Sequence, residues 1–145
     1  MVKSLKVYKS FRIRNRDKRS IILIGNFDGL HLGHQKLFKL ALSYKKKYNS
    51  KIGVINFDPM PKMYFNNSLK NFKISSVNQK LELLKALKVD FIITKKFDRK
   101  FSKIKSIKFI KEILYKKLNC KFIFVSSNFR FGNKREGDVD LLIQN

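Results

Sequence analysis

Short apolar runs separated by stretches of helical period constrain the fold of this chain more than any other feature. Leu5–Tyr8 alternates weakly, whereas Ile21–Gly25, Ile52–Phe57, Phe91–Thr94 and Lys121–Ser127 carry the β-branched and aromatic residues that suit buried strands. Between them, "HQKLFKLALSYKKKY" sets Leu37, Leu40, Ala41 and Tyr44 at helical spacing and closes on lysines, which suit a helix C-terminus. "NQKLELLKAL" (Asn78–Leu87) reads as a second helix. "SIKFIKEILYKKL" (Ser106–Leu118) reads as a third, with Ile107, Ile110, Leu114 and Leu118 on one face, and "VDLLIQN" opens another. Strands that alternate with helices form a parallel α/β sheet, because each parallel strand needs a crossover to bring the chain back to the same edge. A chain of 145 residues buries one ordinary core. In such sheets ligands sit beyond the carboxyl ends of the strands, where the strand order reverses. Two unusual segments, Gly25–His34 and Ser126–Asp138, directly follow strands and so fall on that edge.

The first of these segments, "GNFDGLHLGH", holds both histidines of the chain. Gly25, Gly29 and Gly33 permit tight turning and let a phosphate come close to the backbone. The helix that opens near Gly33 offers free N–H groups and the positive end of its dipole. His31 and His34, three apart, point the same way on a first helical turn. Two imidazoles beside anion-binding amides make a site for a phosphate whose charge grows during reaction. Asp28 either sets the turn through the backbone or helps hold a magnesium ion. A zinc site wants a third protein ligand and none stands out, so no metal-ligating residue is assigned. Neither a Walker A loop nor a GxGxxG turn is present.

The formal charge of +24, from 34 basic and 10 acidic residues, suits nucleic acid, an anionic membrane or a polyanionic substrate. The lysines are scattered rather than gathered into one stripe, and alanine occurs only at Ala41 and Ala86. That pattern is the mark of AT-biased coding, so the charge by itself assigns no nucleic-acid partner. Cys120 is the single cysteine, which excludes an internal disulfide. No apolar stretch reaches the roughly 20 residues that span a bilayer. "MVKSLKVYKS" has lysines but no apolar core of a signal peptide. The expectation is a cytoplasmic protein with no membrane partner.

"GNFDGLHLGH" resembles the GxFDGxHxGH signature of the nucleotidylyltransferases, relatives of the HIGH-motif aminoacyl-tRNA synthetases. More narrowly it resembles the N-terminal adenylyltransferase domain of prokaryotic FAD synthetases, the bifunctional riboflavin kinase/FMN adenylyltransferases. "VINFDPMPKMYF" resembles that family's T-F-x-P-H-P segment, and "VSSNFRFGNKREGDVDLL" its G-x-[ND]-F-x-F-G…G-D…L-L segment. The resemblance implies a Rossmann-like parallel sheet of the HIGH type with helices on both faces. It implies transfer of AMP from ATP to FMN, giving FAD and pyrophosphate, with Mg2+ on the nucleotide. Gly25, Asn26, Phe27 and Asp28, with Gly29 and Gly33, would line the ATP phosphates, and His31 and His34 would stabilise the α-phosphate during attack. Asn128, Phe129, Arg130 and Phe131 would hold the flavin with amide hydrogen bonds, a ring face and a cation.

The chain departs from that pattern in places. Met60 stands where the family usually has histidine, Ser127 where an acidic residue is common, and Ser126 where glycine is usual. The family's later Ile-Ser-Ser-Thr-x-Ile-Arg clamp on the ATP phosphates is not matched; Ile74–Ser76 shares only its first letters. The 145 residues therefore read as one adenylyltransferase domain that stops before that clamp, with no riboflavin kinase domain. Another nucleotidylyltransferase acting on a different phosphate ester is one alternative, and the "NFRFG" aromatics argue against it. A non-catalytic basic module for nucleic acid or an acidic membrane surface is the other.

Overall fold

In chain order the elements are β1 (Lys6–Tyr8), β2 (Ile21–Ile24), α1 (Leu32–Tyr48), β3 (Ile52–Asp58), α2 (Pro61–Phe65), α3 (Val77–Ala86), β4 (Phe91–Lys96), α4 (Arg99–Ser102), α5 (Ser106–Lys108), β5 (Phe122–Phe124) and α6 (Val139–Gln144). α5 runs on into a π-helical segment, Phe109–Lys117. The computed structural model describes residues 5–27, 32–66 and 77–145. Asp28, Gly29 and His31 of the first motif, and Ile74–Ser76, lie outside the described residues.

All strand pairs are parallel and the order is β1-β4-β3-β2-β5. Ile21–Ile24 are all buried, as a strand covered on both faces requires. One face carries Ile22, Ile24, Ile55 and Ile93 against Phe109, Ile110, Ile113, Leu114 and Leu118. The other carries Ile21, Leu23, Ile52 and Val54 against Phe38 and Ala41 of α1 and Leu84 of α3. Helices cover both faces, as expected. After β2 the chain steps to β3 on one side, and after β4 it crosses to β5 on the other, so the reversal in strand order lies between β2 and β5.

The helical faces differ from expectation in two places. On α1 Leu40 is 47 % exposed and Phe38 takes the buried place beside Ala41, so the core stripe sits a residue round from the expected one. In the third helix Ile107 is 39 % exposed, while Phe109 and Ile113 are buried. The cause is the wider winding: the Leu118 N–H donates to the Ile113 carbonyl, an i to i+5 bond. That winding aligns Phe109, Ile113, Leu114 and Leu118 at steps of four to five residues, where an α-helix would have aligned Ile107. β5 is shorter than its apolar run, and β3 and β4 are longer. The short α2 and α4 were not expected; Pro61 suits the first turn of α2, and the Asp98 carboxylate caps α4 by accepting from the Phe101 N–H. Among the described residues no helix is long and apolar enough to cross a membrane.

Gly53 sits on β3 across from Phe91 of β4, and a Cβ there would lie 2.3 Å from the Phe91 ring. That ring is fully buried and has nowhere to go. Gly53→Ala is therefore expected to cost about 2 kcal/mol by overpacking, read as a lower urea midpoint at unchanged slope.

Candidate active site

β2 ends at Ile24, opposite Ile55 and three residues before the end of β3. The Gly25 N–H still donates to the Ile55 carbonyl at 3.0 Å, and the chain then turns away. The Asn26 side-chain oxygen takes over the ladder and accepts from the Phe57 N–H at 3.0 Å. One amide thus joins the first motif to the second. Immediately beyond, Phe27 turns the other way. Its ring is buried edge-on between His34 and Phe38 of α1, with centroids 5.0 Å from each.

On the opposite side of Asn26 a cleft of about 840 Å³ opens at the carboxyl edge of the sheet. Asn26, Phe57, Met60, Asn128, Phe129 and Arg130 are among its lining residues, so the three sequence motifs meet in one concavity. Its wall is aromatic: Phe57 lies near the end of β3, Phe97 directly follows β4 and Phe129 stands on the loop after β5. Phe97 lies edge-on to Phe57, Phe65 and Phe101, with centroids 5.8–5.9 Å away. Phe129 stacks on Phe131 at 5.4 Å with planes 16° apart. Phe131 is buried and Phe129 only partly so, which leaves Phe129 the outward ring.

The loop after β5 is held at several points. The Ser126 hydroxyl bonds the Asn128 side-chain oxygen at 2.8 Å. Asn128 is therefore left with its amide N–H groups to offer. Phe131 and Gly137 exchange backbone bonds at 3.1 and 2.8 Å, closing the loop. The Glu136 carboxylate accepts from the Ser106 N–H at 2.9 Å and from its hydroxyl at 3.2 Å, tying the loop to the start of α5. Gly132 has φ +82°, and a Cβ there would lie 2.8 Å from the Ser106 backbone, so the loop and helix meet without a side chain between them. Arg130 stands 3.9 Å from Asp138, the residue that caps α6 by accepting from the Leu141 N–H.

The expected residues divide into groups. Asn26, Asn128, Phe129, Arg130 and Phe131 share the cleft. Gly25 lies at the end of β2, Gly33 is in the first turn of α1, and His34 is half-buried on that turn, beside Phe27 rather than in the cleft. Phe27 was expected along the phosphates, but its ring belongs to the core. Its side chain packs edge-on against His34. Asp28, Gly29 and His31 fall outside the described residues. Sequence reasoning missed Phe57, Phe97 and Phe101 as cleft walls and Glu136 as the loop's tether. A phenylalanine three residues past the apolar run of β4, at the end of the strand, was the available signal for Phe97. Burial pushes the Cys120 thiol up to about 12, so it remains protonated and is no nucleophile at neutral pH. Among the described residues no group of three or more His, Cys, Asp or Glu side chains is placed to hold a metal ion.

A parallel sheet of this order, opening where its strand order reverses onto a cleft made by the strand-end loops, defines an α/β domain of the Rossmann-like class. A solved structure described as a macrolide-efflux protein from Streptococcus pneumoniae shares that fold, with a TM-score of 0.79 over 99 % of this chain and 47 % of the other, at 23 % identity. The family model for FAD synthetase matches residues 13–145, and the chain belongs to that family. It is 40 % identical over 130 residues to the bifunctional riboflavin kinase/FMN adenylyltransferase of Buchnera aphidicola subsp. Schizaphis graminum, covering 90 % of this chain and 42 % of the relative. It is 36 % identical over 122 residues to the protein of the same name from Escherichia coli K12, covering 84 % of this chain and 39 % of that one. The chain thus spans about two fifths of the length of these curated relatives.

Proposed function

We propose that this chain carries the adenylyl-transfer half of FAD synthesis, moving AMP from ATP to FMN and releasing pyrophosphate. The observation that carries this reading is the convergence of three distant motif segments on one aromatic cleft at the switch point of the sheet. The isoalloxazine, a flat apolar ring system, suits the Phe57, Phe97, Phe101 and Phe129 walls. The Asn128 amide N–H groups would donate to its carbonyl oxygens, and Arg130 would face the FMN phosphate. Met60 brings a thioether to a wall where the histidine of the resembled family pattern would bring a polar contact, so the grip on the phosphate rests more heavily on Arg130.

The triphosphate would lie across the divide at Asn26, over the start of α1. There the backbone N–H groups at the start of α1, and the positive end of this 17-residue helix, would favour anions. His31 and His34 would donate to the α-phosphate oxygens as charge builds on them. An FMN phosphate oxygen attacks the α-phosphorus, the bond from that phosphorus to the bridging oxygen breaks, and pyrophosphate leaves with the electron pair. A phosphate monoester is ionised at neutral pH, so positioning and charge neutralisation carry the reaction without a general base. Mg2+ brought with ATP would neutralise charge on the leaving pyrophosphate, and Asp28, the one acidic residue of the motif, would help hold it.

The test is FAD formation by the purified chain with FMN, ATP and Mg2+, separated by chromatography and read by fluorescence. FAD above a no-protein control is the expected result. No FAD from protein shown to be folded overturns the reading for this chain.

A further inference from the structure

The segment "FRIRNRDKRS" takes no part in the carboxyl-edge cleft. This chain has 27 lysines and 7 arginines, yet Arg12, Arg14, Arg16 and Arg19 fall within eight residues. AT-biased coding accounts for scattered lysines, but it does not gather arginines. The loop that presents them is fixed. Buried Phe11, Ile13, Asp17 and Ser20 are interleaved with the four exposed arginines. Asp17 accepts from the Tyr8 hydroxyl and from Lys51, and the Ser20 hydroxyl donates to the Asp17 carbonyl at 2.7 Å. The Arg19 N–H donates to the Leu118 carbonyl at 3.2 Å.

This loop runs into a second cleft, of about 560 Å³, formed by the segments that enter β2, β3 and β5, at the amino edge of the sheet. Arg16, Lys18, Arg19, Lys51 and Lys121 line it, and among the described residues no Asp or Glu does. Tyr48, 38 % exposed, supplies an aromatic face, with the Lys121 ammonium 5.4 Å from its centroid. Asn49 and Asn119 add exposed amides.

We infer that this amino-edge cleft binds single-stranded nucleic acid. Guanidinium forks match phosphate oxygens in a way that ammonium groups do not. A base has a π-face that stacks on an exposed tyrosine whatever its identity, and side-chain amides meet base edges. An anionic membrane would want apolar side chains among the cations, whereas here the apolar lining is limited to Tyr48 and Cys120. The site lies on the opposite edge of the sheet from the adenylyl-transfer cleft and does not depend on that reading.

The experiment is fluorescence anisotropy of a labelled oligouridylate dodecamer titrated with the full 145-residue chain over a series of salt concentrations. The triple variant Arg16→Gln, Arg19→Gln, Lys121→Gln is expected to bind roughly tenfold more weakly and with a salt slope shallower by about two to three. Tyr48→Leu, which removes no charge, is expected to weaken binding roughly fivefold. A charge-matched control on other surfaces, Lys39→Gln, Lys100→Gln, Lys111→Gln, should stay within about twofold. Equal weakening by the two triples would mean binding through diffuse charge and would overturn the inference. So would an unchanged affinity in folded Tyr48→Leu, or displacement of the oligonucleotide by phosphatidylglycerol vesicles at equal anionic charge.

Discussion

His34→Ala is expected to lower the rate of FAD formation at least about a hundredfold, equivalent to about 2.7 kcal/mol of transition-state stabilisation, in protein that still shows a native circular dichroism spectrum. The size follows from where the charge appears. In the proposed reaction the α-phosphate oxygens gain negative charge in a site whose other donors would be His31 and backbone amides. A donor fixed in place beforehand is worth far more there than in water. His34 is held by an edge-on contact with Phe27, whose ring is in turn wedged against Phe38, so its position is set by the core rather than by substrate. That packing raises a competing explanation, loss of the Phe27 contact alone, and a second variant separates the two. His34→Phe keeps an aromatic pair with Phe27 but has no donor, and it should lose activity as fully as His34→Ala. Near-normal turnover in folded His34→Phe would remove the catalytic role from His34.

The other large effect is on stability. Asp17→Asn is expected to cost about 3 kcal/mol at neutral pH, because it strips the counter-charge from a buried hub and leaves the Lys51 ammonium without its partner. Burial by itself would raise the Asp17 carboxyl. The hydrogen bonds from Tyr8 and Lys51, with the charges of Lys51 and Lys6, outweigh it and hold the group below its ordinary 3.8. The unfolded chain therefore binds the proton more readily than the folded one. The stabilisation is complete well above pH 3.8, and falls away as pH drops through that value toward the lower folded one. Urea midpoints taken from pH 7 to pH 3 should show the gap between the parent chain and Asp17→Asn narrowing at the acid end. A gap that stays constant would mean that Asp17 acts through shape and not through charge.

Much of this arrangement was legible in the amino-acid order. β2, β3 and β4 announce themselves because buried parallel strands are continuous apolar runs, and the motif segments fall on one edge because all of them follow strands. The helical faces were harder. A period of 3.6 places Ile107 inside, and nothing local in "SIKFIKEILYKKL" signals the wider winding that buries Phe109 and Ile113 in its stead. The inward course of the Phe27 side chain was not legible, because a residue within a ligand-binding turn is read as pointing at ligand. Here the turn crosses the sheet edge, which sends successive side chains to opposite faces. Glu136 could not have been foreseen: its partner Ser106 is 30 residues away, and the contact exists only once β5 has placed the loop over the start of α5.

The bond from the Phe57 N–H to Asn26 sets a condition on position 26 that ligand binding alone would not set. The side chain there must finish a strand ladder, so it must accept a hydrogen bond at short reach. It must do so without a negative charge, because the polyphosphate proposed for the neighbouring amides would be repelled by one. Aspartate meets the first demand and fails the second; leucine fails the first. Asparagine at this site is thus where the architecture of the sheet and the electrostatics of the substrate select the same residue for unrelated reasons, and Asn26→Asp would separate them by keeping the acceptor while adding the charge.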